Sequence, residues 1–242
     1  MKLFISADIH GHFDEWQSSL IKQGFDIKNK SHKILLNGDI FDRGRQPKQI
    51  IDFILSIKDR IIIVKGNHES LMEMLIARNK SDISDLFNGT SQTIVDLYPE
   101  WLVSEFDLSK IAKVTRLQEI LDMCVYYYET KKYIFVHSWI PVLDNIEYDK
   151  NWRNASKERL EQSRWRNPLI MTNKELFEPN KKIVFGHWHC SAFWHRFNPS
   201  EYEEFGDKAN FEPFITDNYI AMDTCAIRSN KVNVLVIEDE EL

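Results

Sequence analysis

The chain has little cysteine, no excess of basic charge and no long apolar run. Its three cysteines, Cys124, Cys190 and Cys225, lie far apart. They form no CxxC pair, and an odd count leaves one unpaired, so a disulfide framework is excluded and free thiols in a reducing compartment are expected. The net charge of −6 argues against a sequence-independent grip on nucleic acid, which needs a basic surface, and leaves room only for a local basic patch. The longest apolar runs, such as IIIV at 61–64, are far too short to span a bilayer. The first residues, MKLFISAD, enter a strand-like pattern at once and leave no room for a signal peptide. A cytoplasmic protein without membrane contact is the expectation.

What is present is material for a core. The chain has 242 residues, 43% of them hydrophobic, which suits one globular domain over 1–242. Short Ile- and Val-rich runs read as strands at 2–6, 33–37, 61–65, 133–137, 182–186, 218–222 and 232–238. Helical patterns lie between the early ones, at 14–24, 47–57 and 68–79, the second opening on Pro47. This alternation predicts an α/β fold of layers. Residues 80–130 break the rhythm and read as a helical insert over one edge of the sheet, including LQEILDMCVYYYE at 117–129. Residues 143–181 and 195–217 read as loop-rich, and the EDEEL tail as a solvated end.

Polar residues gather where the strands end. Asp8 and His10 follow the first, and Asp39, Asp42 and Arg43 the second. Asn67 and His68 follow the third, His137 ends the fourth, and His187 and His189 follow the fifth. Five of the eight histidines fall in these stretches. Ligands of open α/β sheets bind at that edge. Asp, Asn and His without thiolate suit Mn, Fe or Zn. Asp8, His10, Asp39, Asn67, His137, His187 and His189 are too many for one ion, but fit two ions sharing a carboxylate. Two-metal sites attack phosphorus, one ion lowering the pKa of a bridging water.

DIHG, GDIFDRG, GNHE, a strand-ending His and GHWH, in that order, resemble the calcineurin-like metallophosphoesterase superfamily. GDIFDRG and GNHE resemble its phosphoprotein phosphatase branch, which includes bacterial and phage Ser/Thr phosphatases and the diadenosine tetraphosphate hydrolases. The resemblance implies a layered β-sandwich flanked by helices and two divalent ions, Mn first, with Fe, Zn, Ni or Co as other occupants. It implies that Asp8 and His10 hold one ion, that Asn67, His137 and His187 hold the other, and that Asp39 bridges them. It further implies attack by a bridging hydroxide, Arg43 on the phosphate oxygens, His68 as general acid and Asp42 orienting His68. Two departures stand out: Ala7 where the family has Gly, and Ser138-Trp139 where it has Gly-Gly. Trp139 is a candidate substrate surface, and Arg164 and Arg166 are candidates for the branch's second phosphate-binding arginine.

His189 is the open position. Residues two apart at a strand end share a side, so His189 is expected as a fourth ligand of the first ion, with contact to water or substrate as the rival reading. The bland readings keep Glu69 as a cap or orienting group and His32 as a solvated strand flank. The expected function is hydrolysis of phosphomonoesters on protein Ser or Thr. The alternative is a dinucleoside polyphosphate or another nucleotide as substrate, and the second alternative is an inactive binding module, against which the full ligand set speaks.

Overall fold

In the computed structural model, residues 1–103 and 107–238 are described; the last four residues of the acidic tail and three positions of the insert lie outside them. The first sheet has β1 (Lys2–Ser6), β2 (His32–Leu36), β3 (Ile61–Val64), β4 (Cys124–Val125) and β10 (Leu235–Glu238) in the order β10-β1-β2-β3-β4. The second has β5 (Tyr128–Glu129), β6 (Tyr133–Phe135), β7 (Lys182–Phe185), β8 (Phe214–Ile215) and β9 (Tyr219–Ala221) in the order β5-β6-β7-β9-β8. β1, β2, β3 and β4 run parallel, as do β6, β7 and β9, while β10, β5 and β8 run antiparallel to their neighbours. The seven strands read from the sequence are all present. The three missed, β4, β5 and β8, have two residues each, too short to show a period.

Strand alternation sorts the core into three layers. Leu3, Ile5, Leu35 and Val64 face Phe135, Val184 and Ile220 between the sheets. Phe4, Ile34 and Leu36 point the other way, against α1 (Phe13–Lys22), α2 (Pro47–Ser56) and α3 (Asn67–Arg78). Ile134, Ile183 and Phe185 point outward from the second sheet, against residues that include Cys190 and Phe193. Both faces of the central strands are thus covered, which is why they read as unbroken apolar runs.

The insert is largely helical over its described residues. Its helices α4 (Ile83–Asn88), α5 (Thr90–Leu97), α6 (Leu108–Val114) and α7 (Leu117–Asp122) extend the outer helical layer, with Ile94, Ile111 and Ile120 in the same cluster as residues of α2 and α3. The segment read as helix over 117–129 leaves helix at Asp122 and pairs as β4 and then β5. Its Cys, Val and Tyr side chains fit a pleated surface, and pairing to a sheet outweighs their weak helix preference.

The segment read as loop-rich at 143–181 holds α8 (Lys157–Ser163) and α9 (Pro168–Asn173), and α10 (Cys190–Phe197) runs into the start of the one at 195–217. A four-residue helix, α11 (Ala226–Ser229), precedes β10. Among the described residues, no helix is long and apolar enough to cross a membrane. The two sheets are tied where the parallel strands end. The Asn37 amide donates to the Val184 carbonyl at 3.0 Å, and the His137 Nδ1–H donates to the Asn37 carbonyl at 2.7 Å.

Candidate active site

The metal-type candidates follow the carboxyl ends of strands, most on sharply turning loops and Asn67 in the first turn of α3, beside His68. Among the described non-glycine residues, thirteen have positive φ. Six of these are candidate site residues: Asp8, His10, Asp39, Asp42, Arg43 and His187. Such backbone strain gathers where side chains must converge on one point. Gly186 shows how tight the convergence is: a Cβ built there would lie 1.8 Å from Asp8 Oδ2.

Among the described residues two groups of ligand atoms form, and both contain Asp39. In the first, His137 Nε2 stands 3.4 Å from Asp39 Oδ1, 2.8 Å from Asn67 Oδ1 and 3.2 Å from His187 Nδ1. His187 Nδ1 is also 3.0 Å from Asn67 Oδ1. With its Nδ1–H committed to the Asn37 carbonyl, a neutral His137 presents only a lone pair at Nε2. That lone pair meets the amide oxygen, so the arrangement calls for positive charge between the donors. Four donors on bonds of ~2.0–2.2 Å around a tetrahedral ion would stand roughly 3.3–3.6 Å apart. The observed spacings lie close to that, slightly contracted, and the residues fit a divalent cation.

The second group is His10, Asp39 and His68. His10 donates from Nδ1 to the Phe41 carbonyl at 2.9 Å, leaving Nε2 facing Asp39 Oδ2 at 3.6 Å. Asp39 therefore turns one oxygen to each group, as a bridging carboxylate must. Arg43 reaches between them: Nη1 donates to His10 Nε2 at 2.9 Å and Nη2 lies 3.1 Å from His68 Nε2. His68 Nδ1–H donates to Asp42 Oδ2 at 2.7 Å.

The electrostatics separate these histidines. Burial lowers the pKa of His10, His137 and His187, the last to about 3, and neighbouring positive groups add to the effect. Neutral imidazole is the form that binds metal. His68 moves the other way: burial opposes its charge, but Asp39 and Asp42 outweigh it and raise its pKa. Burial also works against the Asp39 anion, yet the surrounding imidazoles of His137, His68, His10 and His187 hold it far below the usual carboxylate range. Asp8 is raised well above its ordinary value, by burial and then by Asp223 and Asp39. Three carboxylates crowded in the interior, Asp8, Asp39 and Asp223, likewise fit a cationic guest.

Not every sequence expectation converges here. Asp8 is buried beside the site but belongs to neither ligand group. Both its oxygens accept the His187 backbone N–H at 2.9 Å. His189 turns away: its Nε2 is 2.9 Å from Glu204 Oε1, and its ring lies near Trp188 and Phe205. The same-side rule fails because the strand ends at Phe185. His187 has φ +64°, and the Trp188 N–H donates back to Gly186 at 2.7 Å, a tight turn that redirects the chain before His189.

Trp139 is 1% exposed, packs its ring on Phe185 and donates from Nε1 to Leu176. It fills the core of the second sheet and presents no face to a substrate. Arg164 is also buried, engaged with Glu161 and Ser70 and lying over the Tyr126 ring. The Arg166 carbonyl accepts the Ser138 hydroxyl, which holds that segment one residue from His137. His32, expected to be solvated, is buried against Phe4, and its Nδ1 accepts the Asp26 N–H at 3.0 Å.

Glu69, read from the sequence as a cap or orienting group, is both. Glu69 is fully buried and accepts three backbone N–H groups: Asp39 at 2.9 Å, Ile40 at 2.8 Å and Gly66 at 2.7 Å. It ties the Asp39 loop to the Asn67 loop. Its place two residues after Asn67 was the only signal available.

Fold and site together define a metal-dependent hydrolase. The chain belongs to the calcineurin-like phosphoesterase family, whose family model matches residues 1–213. Over 69 residues it is 33% identical to the symmetrical bis(5'-nucleosyl)-tetraphosphatase of Buchnera aphidicola subsp. Acyrthosiphon pisum (strain Tuc7), a match covering 28% of this chain and 24% of that protein. Over 152 residues it is 26% identical to the protein of the same name from Buchnera aphidicola subsp. Schizaphis graminum, covering 63% of this chain and 50% of that one. The matches thus span a quarter to a half of the length of these curated relatives. The crystal structure of a metallophosphoesterase from Sphaerobacter thermophilus shares the fold, with a TM-score of 0.53 at 12% identity over 99% of this chain and 84% of that one.

Proposed function

We propose that this phosphoesterase works as a single domain and cleaves dinucleoside polyphosphates, with His68 as the proton donor. The observation that carries the chemistry is the pair of ligand groups that share Asp39, with Arg43 and the Asp42-bound His68 beside them; burial favours neutral His10, His137 and His187, while carboxylates favour the charged form of His68. Groups whose environments push their pKa values apart are the mark of divided roles. His68 stands near Asp39 as a ligand would, but the two carboxylates beside it favour its charged form, which suits an acid better than a ligand.

Asp39 Oδ1, Asn67, His137 and His187 would hold one divalent ion, and Asp39 Oδ2, His10 and Asp8 the other. Two such ions would lower the pKa of a bound water and offset phosphoryl charge. Arg43, lying between His10 and His68, is placed to grip phosphoryl oxygens with its planar fork. His68 Nε2 would then face the leaving oxygen, and Asp42, holding the Nδ1 proton, favours the imidazolium, the form that can donate from Nε2.

The substrate class rests on the tetraphosphatase relatives. A second reading, a phosphomonoester on protein Ser or Thr, draws support from the His68–Asp42 pair, because an alkoxide leaving group needs a proton more than a phosphate does. Steady-state kinetics on diadenosine tetraphosphate and on a phosphopeptide panel, each with Mn, test the choice. A kcat/KM at least about tenfold higher on the dinucleotide is expected, a margin that corresponds to ~1.4 kcal/mol of transition-state discrimination. The reverse order would reject the nucleotide reading. No turnover on either by folded, metal-loaded protein would reject the enzyme.

A further inference from the structure

The insert reaches into the site through the first turn of α5. Thr93 Oγ1 donates to Asp42 Oδ1 at 2.7 Å and accepts the Asp42 backbone N–H at 3.0 Å. Thr90 Oγ1 donates to the other oxygen, Oδ2, at 3.0 Å, the same oxygen that accepts His68 Nδ1–H. Both threonines are buried, at 0% and 1% exposure. The Asp42 carboxylate therefore has both oxygens held by hydroxyls of the insert. Asp42 itself has φ +72°, a backbone state that needs outside support. Thr93 supplies it by gripping main chain and side chain of the same residue. The approach depends on Gly89, the residue before α5: it has φ +88°, and a Cβ there would lie 2.6 Å from the Arg43 nitrogen.

We propose that Thr90 and Thr93 are positioning residues: they fix the plane of the Asp42 carboxylate, and through it the direction in which the His68 ring presents Nε2. The insert thus completes the acid apparatus as well as covering the helical layer. The proposal rests on the reading of His68 as the acid.

The test uses the full chain, loaded with Mn, and two probes: p-nitrophenyl phosphate, whose leaving group needs no proton, and phenyl phosphate, whose leaving group does. Thr93→Val should lower kcat on phenyl phosphate by about ten- to a hundredfold, a fraction of what loss of a general acid costs, and on p-nitrophenyl phosphate by less than about threefold. Thr93→Ser should restore both. In a His68→Asn background, Thr93→Val should change kcat on phenyl phosphate less than about twofold, since residues acting as one unit are not additive. Thr90→Val, which removes one donor only, should show the same pattern more weakly and serves if Thr93→Val does not fold. Equal losses on both probes, failure of serine to rescue, or additivity with His68→Asn would overturn the proposal. If His68→Asn discriminates between the probes and the threonine variants do not, the positioning role alone falls. If His68→Asn does not discriminate, the acid reading falls with it.

Discussion

Glu69→Gln is the change whose cost comes most directly from the geometry. Oε2 accepts the Asp39 and Gly66 N–H groups, and Oε1 accepts that of Ile40. A glutamine can keep the first two, but its amide group must then face the Ile40 N–H. One buried donor loses its partner, which costs about 1–3 kcal/mol, and the two remaining bonds lose their charge assistance, roughly 1 kcal/mol each. Part of this is offset. Burial, with Asp39 beside it, raises the Glu69 pKa to about 7, so at neutral pH the carboxylate is already partly protonated. A net loss of about 2–3 kcal/mol is expected, which for a domain near this size lowers Tm by roughly 4–12 °C. The assay is urea unfolding of metal-free protein, wild type against variant, with the slope m checked for constancy. A midpoint within error of wild type would refute the view that this carboxylate ties the two loops.

Asp39→Asn should lose both ions in elemental analysis, since it removes the anion common to both ligand groups; a variant retaining two would show that Asp39 is not shared. His189→Ala should retain two tightly held ions, because its imidazole is paired with Glu204, and loss of one would restore it as a ligand. His32 gives a pH dependence away from the site. Burial lowers its pKa in the fold, and its Nδ1 must stay unprotonated to accept the Asp26 N–H. The unfolded chain then binds the proton more readily, so stability falls as pH drops below about 6.5, the ordinary histidine value. His32→Gln should flatten part of the decline in urea midpoint between pH 8 and pH 5, and an unchanged slope would exclude His32 as a contributor.

Much of the fold was legible because the buried strands carry β-branched runs long enough to stand out. The site was legible because each metal-type ligand comes directly after such a run, so strand order alone gathered Asp39, Asn67, His137 and His187. What failed did so for local reasons. His189 was placed by a strand rule applied one turn beyond the strand. Trp139 was taken for a surface because it lies just past His137, yet its indole fills space that a glycine would leave in the second core. Thr90 and Thr93 gave no signal: Asp42 lies about fifty positions before them, and only the docking of α5 brings them together.

The pairing of β4 and β5 sets how the chain can be cut. Residues 124–129 form the outermost strand of the first sheet and then, two residues on, the outermost strand of the second. One short stretch therefore shields an open edge on each sheet, where unpaired backbone would invite association with another chain. Removing the whole of 80–130 would strip both shields at once. An excision meant to yield a minimal enzyme has to stop before Met123, and a truncated chain that keeps 124–129 should stay dispersed where the longer deletion aggregates.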